Sequence, residues 1–396
     1  MDLETISAIL FVIILCAVLF LERKKLHLQK VLFPAIYVLL YKTKVGLKLM
    51  DKVSARAPRA VRYFGITAIV LGFIGMAVVS YSLIDNLLTV LFVSPQASAV
   101  ALVLPVKVKG TFFVPFFYWI ISLFFLVIVH EFSHGMVSRR YGIPVKSSGL
   151  AFLGLFIPLI PAAFVEPDEK ILRKKSAIEQ LSVFAAGSFA NFVLAGIAIL
   201  LLVFAVNPAV NAAIDYSGVR VSGVIRGNSN ESLAAEAAGI SEGEIITSVD
   251  GIPVLVAENL SAILAAKNPG DNILVTTNES SYSFALSQNP KNSSMAYMGL
   301  QLSQHTRMNP GFGERYGKSA FSILMWISGL VMWLYILNLG IGMFNLLPLP
   351  ICDGGRMFFV AASSLFEQRR AQMIWHAVSL LFVIVIVVNL GAGFFK

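Results

Sequence analysis

Two histidines and a glutamate carry the reactive potential of this chain. His130 and His134 stand four residues apart at the end of an apolar run, Tyr118 to Val129. On a helix that spacing puts both imidazoles on one face, within reach of a single metal ion. Glu131 lies beside them, placed to act as general base on a water that the metal activates. Inside an apolar run, ionisable groups are costly and need a partner or a purpose. A bound divalent cation stabilises all three groups. The competing reading, two hydrogen-bonded bundle histidines, leaves the glutamate to be neutralised. Of the five histidines, this is the one pair with metal-ligand spacing. His27 falls in a basic segment, His305 at the border of a polar region and His376 at the start of an apolar run. All three are left out of the site.

The His-Glu-x-x-His spacing is the one zinc proteases use, but two histidines do not complete a zinc site. A third ligand is needed. Asp353 is the first candidate: Pro348 and Pro350 break the preceding helix, and Gly354-Gly355 allow a tight backbone after it. Glu166, Asp168 and Glu169 compete, although their stretch reads as a solvated loop. Asp353 would also serve as the N-cap of a helix that follows it. Spacing alone leaves these alternatives open.

The elements that must hold these residues are membrane elements. The 396 residues are 57% hydrophobic and 13% charged, against about 25% charged in soluble domains. The net charge of +9 gathers beside apolar spans, which is a topology signal and argues against nucleic acid. Cys16 and Cys352 lie far apart and form neither a disulfide framework nor a thiolate zinc site. Apolar runs at 5–21, 63–83, 113–138, 177–206, 318–347 and 372–394 each suit a transmembrane helix. The first ends in Glu22-Arg-Lys-Lys25 without a small-residue cleavage site and reads as a retained span. Residues 23–62 hold eleven Lys or Arg and are expected on the cytoplasmic side, with an interfacial helix over Val31 to Tyr41. Residues 94–111 are expected to connect two spans externally. Residues 145–165 are apolar but broken by Gly149, Gly154, Pro158 and Pro161, with basic residues on both flanks. A segment with both ends on one side must dip in and return, which is favoured here over a Pro-kinked span. Residues 207–316 turn polar, with β-branched runs between turn signals, and read as an inserted water-facing domain.

The fold expected is therefore a polytopic α-helical membrane protein with about six transmembrane helices, a re-entrant segment and an inserted extracytoplasmic α+β domain. Its divisions are 1–62 (first helix and basic segment), 63–206 (core with the histidines and the re-entrant segment), the inserted domain at 207–316, and 317–396 (core with Asp353 and the last helix).

Taken together, His130-Glu-Phe-Ser-His134 and the later Asn345-Leu-Leu-Pro-Leu-Pro-Ile-Cys-Asp353-Gly354 resemble the site-2 protease family of intramembrane zinc metalloproteases. Gly187-Ser-Phe-Ala-Asn191 is similar to that family's third motif, with Ser188 where a Pro usually follows the Gly. The resemblance implies that His130, His134 and Asp353 bind Zn2+ and that Glu131 is the base. It implies that Asn345, and with it Asn191, helps position substrate or the oxyanion. The substrates it implies are single-span membrane proteins already trimmed by another protease. Ala238 to Gly251 resembles the central stretch of a PDZ domain, so the inserted domain is expected to take peptide termini along a sheet edge or to filter substrates by size. The lipid bilayer is the remaining partner. The expected location is the plasma membrane, with both termini and the PDZ-like domain outside and the active site near the cytoplasmic face. The rival readings are a metal transporter or channel, and a silent scaffold that recruits peptides. The transporter reading lacks a polar path, since residues 113–129 hold no carboxylate or histidine.

Overall fold

The computed structural model describes residues 3–32, 36–92, 101–106, 108, 111–155, 157–225, 234–290 and 292–394. It divides into two compact units, residues 1–202 with 329–396, and residues 203–328.

The first unit begins with α1 (Leu3–Leu21). Two strands follow, β1 (Leu26–Leu32) and β2 (Ile36–Thr43). They replace the interfacial helix expected over Val31 to Tyr41, of which residues 33–35 lie outside the described chain. Helices α2 (Leu47–Arg56) and α3 (Pro58–Phe92) come next. Most of the expected external connection at 94–111 falls outside the described residues. What is described includes a short parallel pair, β3 (Leu102–Leu104) and β4 (Thr111–Phe113). Helix α4 (Phe116–Arg140) starts behind Pro115, and its first amide, Phe116 N–H, donates to the Glu4 carboxylate of α1 at 2.6 Å. A carboxylate at a helix N-terminus satisfies an orphan donor and complements the dipole. The C-terminus of α4 carries Arg139 and Arg140, the complementary charge.

Residues 145–165 form a β-hairpin, β5 (Val145–Leu155) and β6 (Ile157–Pro167), rather than a kinked helix. Val145 pairs with Pro167, so the segment returns to where it began. The hairpin continues the first one across β2–β5, from Ile36↔Leu155 to Thr43↔Ser148. The sheet order is β1-β2-β5-β6, which makes β6 an edge strand. After α5 (Glu169–Leu172), a reciprocal capping box of Ser176 and Glu179 starts α6 (Ala177–Leu201).

The second unit carries α7 (Asn207–Ala213), β7 (Ile214–Val224), α8 (Ala234–Ala238), β8 (Ile245–Val249), β9 (Ile252–Pro253) and α9 (Ala257–Ala265). Strands β10 (Asn272–Thr277), β11 (Ser281–Ala285), β12 (Ser287–Asn289), β13 (Asn292–Tyr297) and β14 (Leu300–Met308) complete it. The main sheet runs β11-β10-β8-β7-β14. Every second residue of β10 is buried, so Ile273 and Val275 join Val219, Ile246 and Leu260 in one core. Asp250 and Gly251 both have positive φ, 51° and 74°, which turns β8 tightly back on β9.

The chain then enters α10 (Pro310–Asn345), α11 (Asp353–Leu365) and α12 (Gln368–Phe394). Among the described residues, six helices are long and apolar enough to cross a membrane: 4–21, 58–92, 116–140, 177–213, 310–345 and 368–392. Several exceed the runs read from sequence, α3 and α10 most clearly. Met357 of α11 packs with Ala68 and Met76 of α3, Ala185 of α6 and Leu346, and this cluster fixes the start of α11 within the helical core.

Candidate active site

Helix α4 delivers three of the groups. His130 and His134 lie one above the other, both buried, with ring centroids 4.7 Å apart. Their Nε2 atoms are 3.1 Å apart. The fourth group comes from the break between α10 and α11. Any side chain at Gly354 would collide with the carbonyl of Leu346, and at Gly355 with that of Leu349. Only glycines let the helix begin pressed against the preceding turn. That placement holds Asp353 Oδ2 3.1 Å from His130 Nε2 and 3.2 Å from His134 Nε2. The residue in the N-cap position is Cys352, so Asp353 is not the cap.

The three atoms fit a cation. A tetrahedral ion with ligands at about 2.0–2.2 Å holds them roughly 3.3–3.6 Å apart, close to the observed triangle. The hydrogen bonding agrees. His134 Nδ1 is 2.7 Å from the carbonyl of Val183, which can only accept, so Nδ1 carries a proton. A neutral ring then directs its Nε2 lone pair at Asp353 Oδ2, a buried oxygen with no hydrogen-bond partner of its own. Lone pairs converging at this distance repel unless a cation stands between them. Space for the ion is kept by Gly187 of α6. A Cβ there would overlap His134 Nε2 and lie 2.6 Å from His130 Nε2. Among the described residues, His130, His134 and Asp353 are the only such group of three.

The competing carboxylates are committed elsewhere. Glu166 accepts from Lys42 at 2.8 Å and Ser147 at 2.5 Å. Those hydrogen bonds hold its pKa below the usual glutamate range. Asp168 pairs with Lys146 at 3.0 Å and caps α5 through Lys170 N–H and Ile171 N–H. The Lys146 bond, with these amides, lowers its pKa too. Glu169 pairs with Arg173. The histidines left out of the site are also elsewhere: His27 is on β1, His305 bonds Ser217 in the second unit and His376 lies against Trp375, the rings tilted by 44°.

Glu131 projects toward the hairpin, and its Oε2 accepts the Val165 N–H of β6 at 2.9 Å. Asn345 ends α10, half-buried, at the turn leading to Asp353. Asn191 is fully buried, its Nδ2 3.2 Å from His130 Nδ1. Val183 and Val165 take part through backbone groups, which leave no trace in residue type. Gly187 stood in the motif that ends at Asn191, but its role in keeping the space between the imidazoles clear was not readable from the sequence.

Several known proteins are similar to this chain. The chain is 30% identical over 209 residues to an uncharacterized protein of Methanocaldococcus jannaschii, matching 52% of this chain and 53% of that one. It thus spans about half the length of that relative. A Clostridium perfringens protein named "Putative zinc metalloprotease" is 24% identical over 280 residues, 59% of this chain and 78% of that one. One of the same name from Xylella fastidiosa is 30% identical over 182 residues, 40% of this chain and 38% of that one. Among solved structures, the PDZ domain of an SdrC-like protein from Listeria monocytogenes aligns with 22% of this chain and 88% of its own, at 18% identity and a TM-score of 0.19. At that score the likeness carries no argument. The model of peptidase family M50 matches residues 118–386, which include His130, Glu131, His134, Val165, Val183, Gly187, Asn191, Asn345 and Asp353. The chain belongs to peptidase family M50, the site-2 protease family that its motifs resemble.

Proposed function

We propose that this protein is an intramembrane zinc metalloprotease that hydrolyses peptide bonds within or near the transmembrane segment of other membrane proteins. The observation that carries the reading is the convergence of His130 Nε2, His134 Nε2 and Asp353 Oδ2 on one point beside Glu131. His130, His134 and Asp353 would hold the ion. When bound, zinc acidifies water toward a pKa of about 7 and polarises the scissile carbonyl. Glu131 takes the proton from the attacking water and passes it to the leaving amine. Its Oε2 is anchored by Val165 N–H, which leaves the other oxygen for that transfer. Asn345 is assigned to the substrate or the oxyanion, from its place at the turn before Asp353.

A helical substrate hides its peptide bonds and must be unwound. The edge strand β6 supports strand addition as the means. Val165 points its N–H away from β5, so alternation directs the N–H and C=O of Ala163 the same way. Strand β5 is paired on both sides and cannot take a further strand. The charge distribution of the chain supports an active site toward the cytoplasmic face, with the PDZ-like unit and both termini outside a plasma membrane. That unit is assigned to substrate selection, and single-span proteins already shortened by another protease are the substrates proposed.

The test is Glu131→Gln in the purified full-length chain. The variant should bind zinc as the wild type does and lose cleavage of a single-span substrate. Retained cleavage would exclude Glu131 as the base, and no cleavage by the wild-type chain would exclude the protease reading. Metal transport by vesicles containing the wild-type chain would favour the transporter.

A further inference from the structure

We infer that Asn191 is a positioning residue for the metal ligand His130 and does not touch substrate; the inference rests on the zinc reading above. Helix α6 presents one face to the two histidines of α4. Val183, Gly187 and Asn191 follow at four-residue spacing and so lie along one side of α6. The Val183 carbonyl takes His134 Nδ1 at 2.7 Å. Gly187 lies opposite both Nε2 atoms and keeps the ion's place open. Asn191 meets His130 Nδ1 at 3.2 Å. The face thus gives each imidazole a partner at Nδ1 and clears the space at Nε2.

The chemistry follows from the position of the proton. His130 Nε2 faces the ion, so its proton belongs on Nδ1, and the group opposite must accept. An amide nitrogen there would set two donors against each other. Turned about its Cβ–Cγ bond, the Asn191 amide offers Oδ1, an atom buried and without a partner in its present orientation. The oxygen and nitrogen are nearly the same size, so the turn needs no repacking. Substrate cannot take this role. Asn191 has no exposed surface, and α10 closes over it at Gly342, where a Cβ would stand 3.3 Å from Asn191 Cβ. Glycines at 187 and 342 therefore bring α4 and α10 against α6 around a single polar side chain.

The test titrates zinc into the full-length chain in detergent, stripped of metal, against a competing chelator. Asn191→Leu should weaken zinc binding by roughly 10- to 100-fold, the usual cost of losing such an outer partner. Asn191→Asp supplies an acceptor and should restore affinity to near the wild-type value. Wild-type zinc affinity in Asn191→Leu, with only KM for a membrane substrate raised, would overturn the inference and leave the protease reading intact. Loss in Asn191→Asp equal to that in Asn191→Leu would overturn it also. A wild-type chain that binds no zinc would overturn both. If Asn191→Leu does not fold, the visible spectrum of the cobalt(II)-loaded Asn191→Asp chain decides. A shift from the wild-type spectrum supports an altered bond to His130, and an unchanged one overturns it.

Discussion

The Glu131 carboxylate is fastened to the backbone amide of Val165, 2.9 Å away on the edge strand of a sheet. This carboxylate thus takes its direction from β6 and not from its own helix. Val165→Pro removes that N–H while sparing the ladder, because the amide points away from β5 and edge strands tolerate proline. Hydrogen bonds to charged groups contribute about 1.5–3 kcal/mol, so kcat should fall roughly 10- to 100-fold. Zinc content should stay unchanged. Single-turnover cleavage with parallel metal analysis checks this.

Strand addition makes a separate demand on Ala163. Ala163→Pro removes the next outward N–H of β6 without reaching Glu131. The KM for a transmembrane substrate should rise several-fold, on the order of one lost backbone hydrogen bond. An unchanged KM in a chain that still binds zinc would exclude pairing at this edge.

Helix α6 contains a matched pair of glycines. Gly187→Ala puts a methyl group into the space between the imidazoles, and zinc content of the purified protein should drop below about a tenth of an equivalent, given the overlap with both Nε2 atoms. Gly196→Ala, in open space on the same helix, should keep full zinc. It should also stabilise the helix by about 0.5–1 kcal/mol. Metal analysis beside thermal melting of both variants separates a blocked site from a damaged helix.

Acid should weaken the second unit through Glu244. Burial raises the pKa of this carboxyl. Bonds from Thr277 at 2.7 Å, the Ser241 amide at 2.8 Å and Tyr282 at 3.0 Å outweigh it and leave the pKa lowered. A depressed folded pKa adds stability that is complete above the unfolded value, about 4.3, and lost as pH falls through the folded one. The near-ultraviolet signal of Tyr282 should therefore report a falling thermal midpoint below about pH 4.3. In Glu244→Gln that pH dependence should largely vanish.

The residues of the site were legible because their signals are local. His130, Glu131 and His134 fall within two helical turns, and the prolines and glycines around Asp353 announce a break in the helix. Even so, the competition between Asp353 and Glu166 or Asp168 was resolved only by the packing of α11. Strand β2 escaped because one of its two partners, β5, is distant, and β1 went with it. Leu39 and Leu40 form part of an apolar run that suits a surface helix, and nothing nearby in the chain announces Phe152 and Ala151 as their neighbours across the sheet. Asn191 shows the same limit: its spacing from Gly187 was visible, but the imidazole it meets belongs to another helix. At 145–165 the prolines and the like charge on both flanks announced a segment that turns back on itself, as β5 and β6 do, but not that it would pair as strands.

The β2–β5 pairing also carries a schedule. Thr43 and Ser148, bonded across it, are separated by 105 residues that include α3 and α4. At roughly 5–20 residues per second, a ribosome needs on the order of 5–20 s to make that interval. The first hairpin and α3 are therefore synthesised well before β5 exists. Until β5 and β6 arrive, the Val165 amide cannot steady Glu131. The nascent chain thus holds the first hairpin and α3 for some seconds before β5 exists, and the other groups of the site, Val183 and Asn191 of α6 and Asp353 of α11, follow the second hairpin later still.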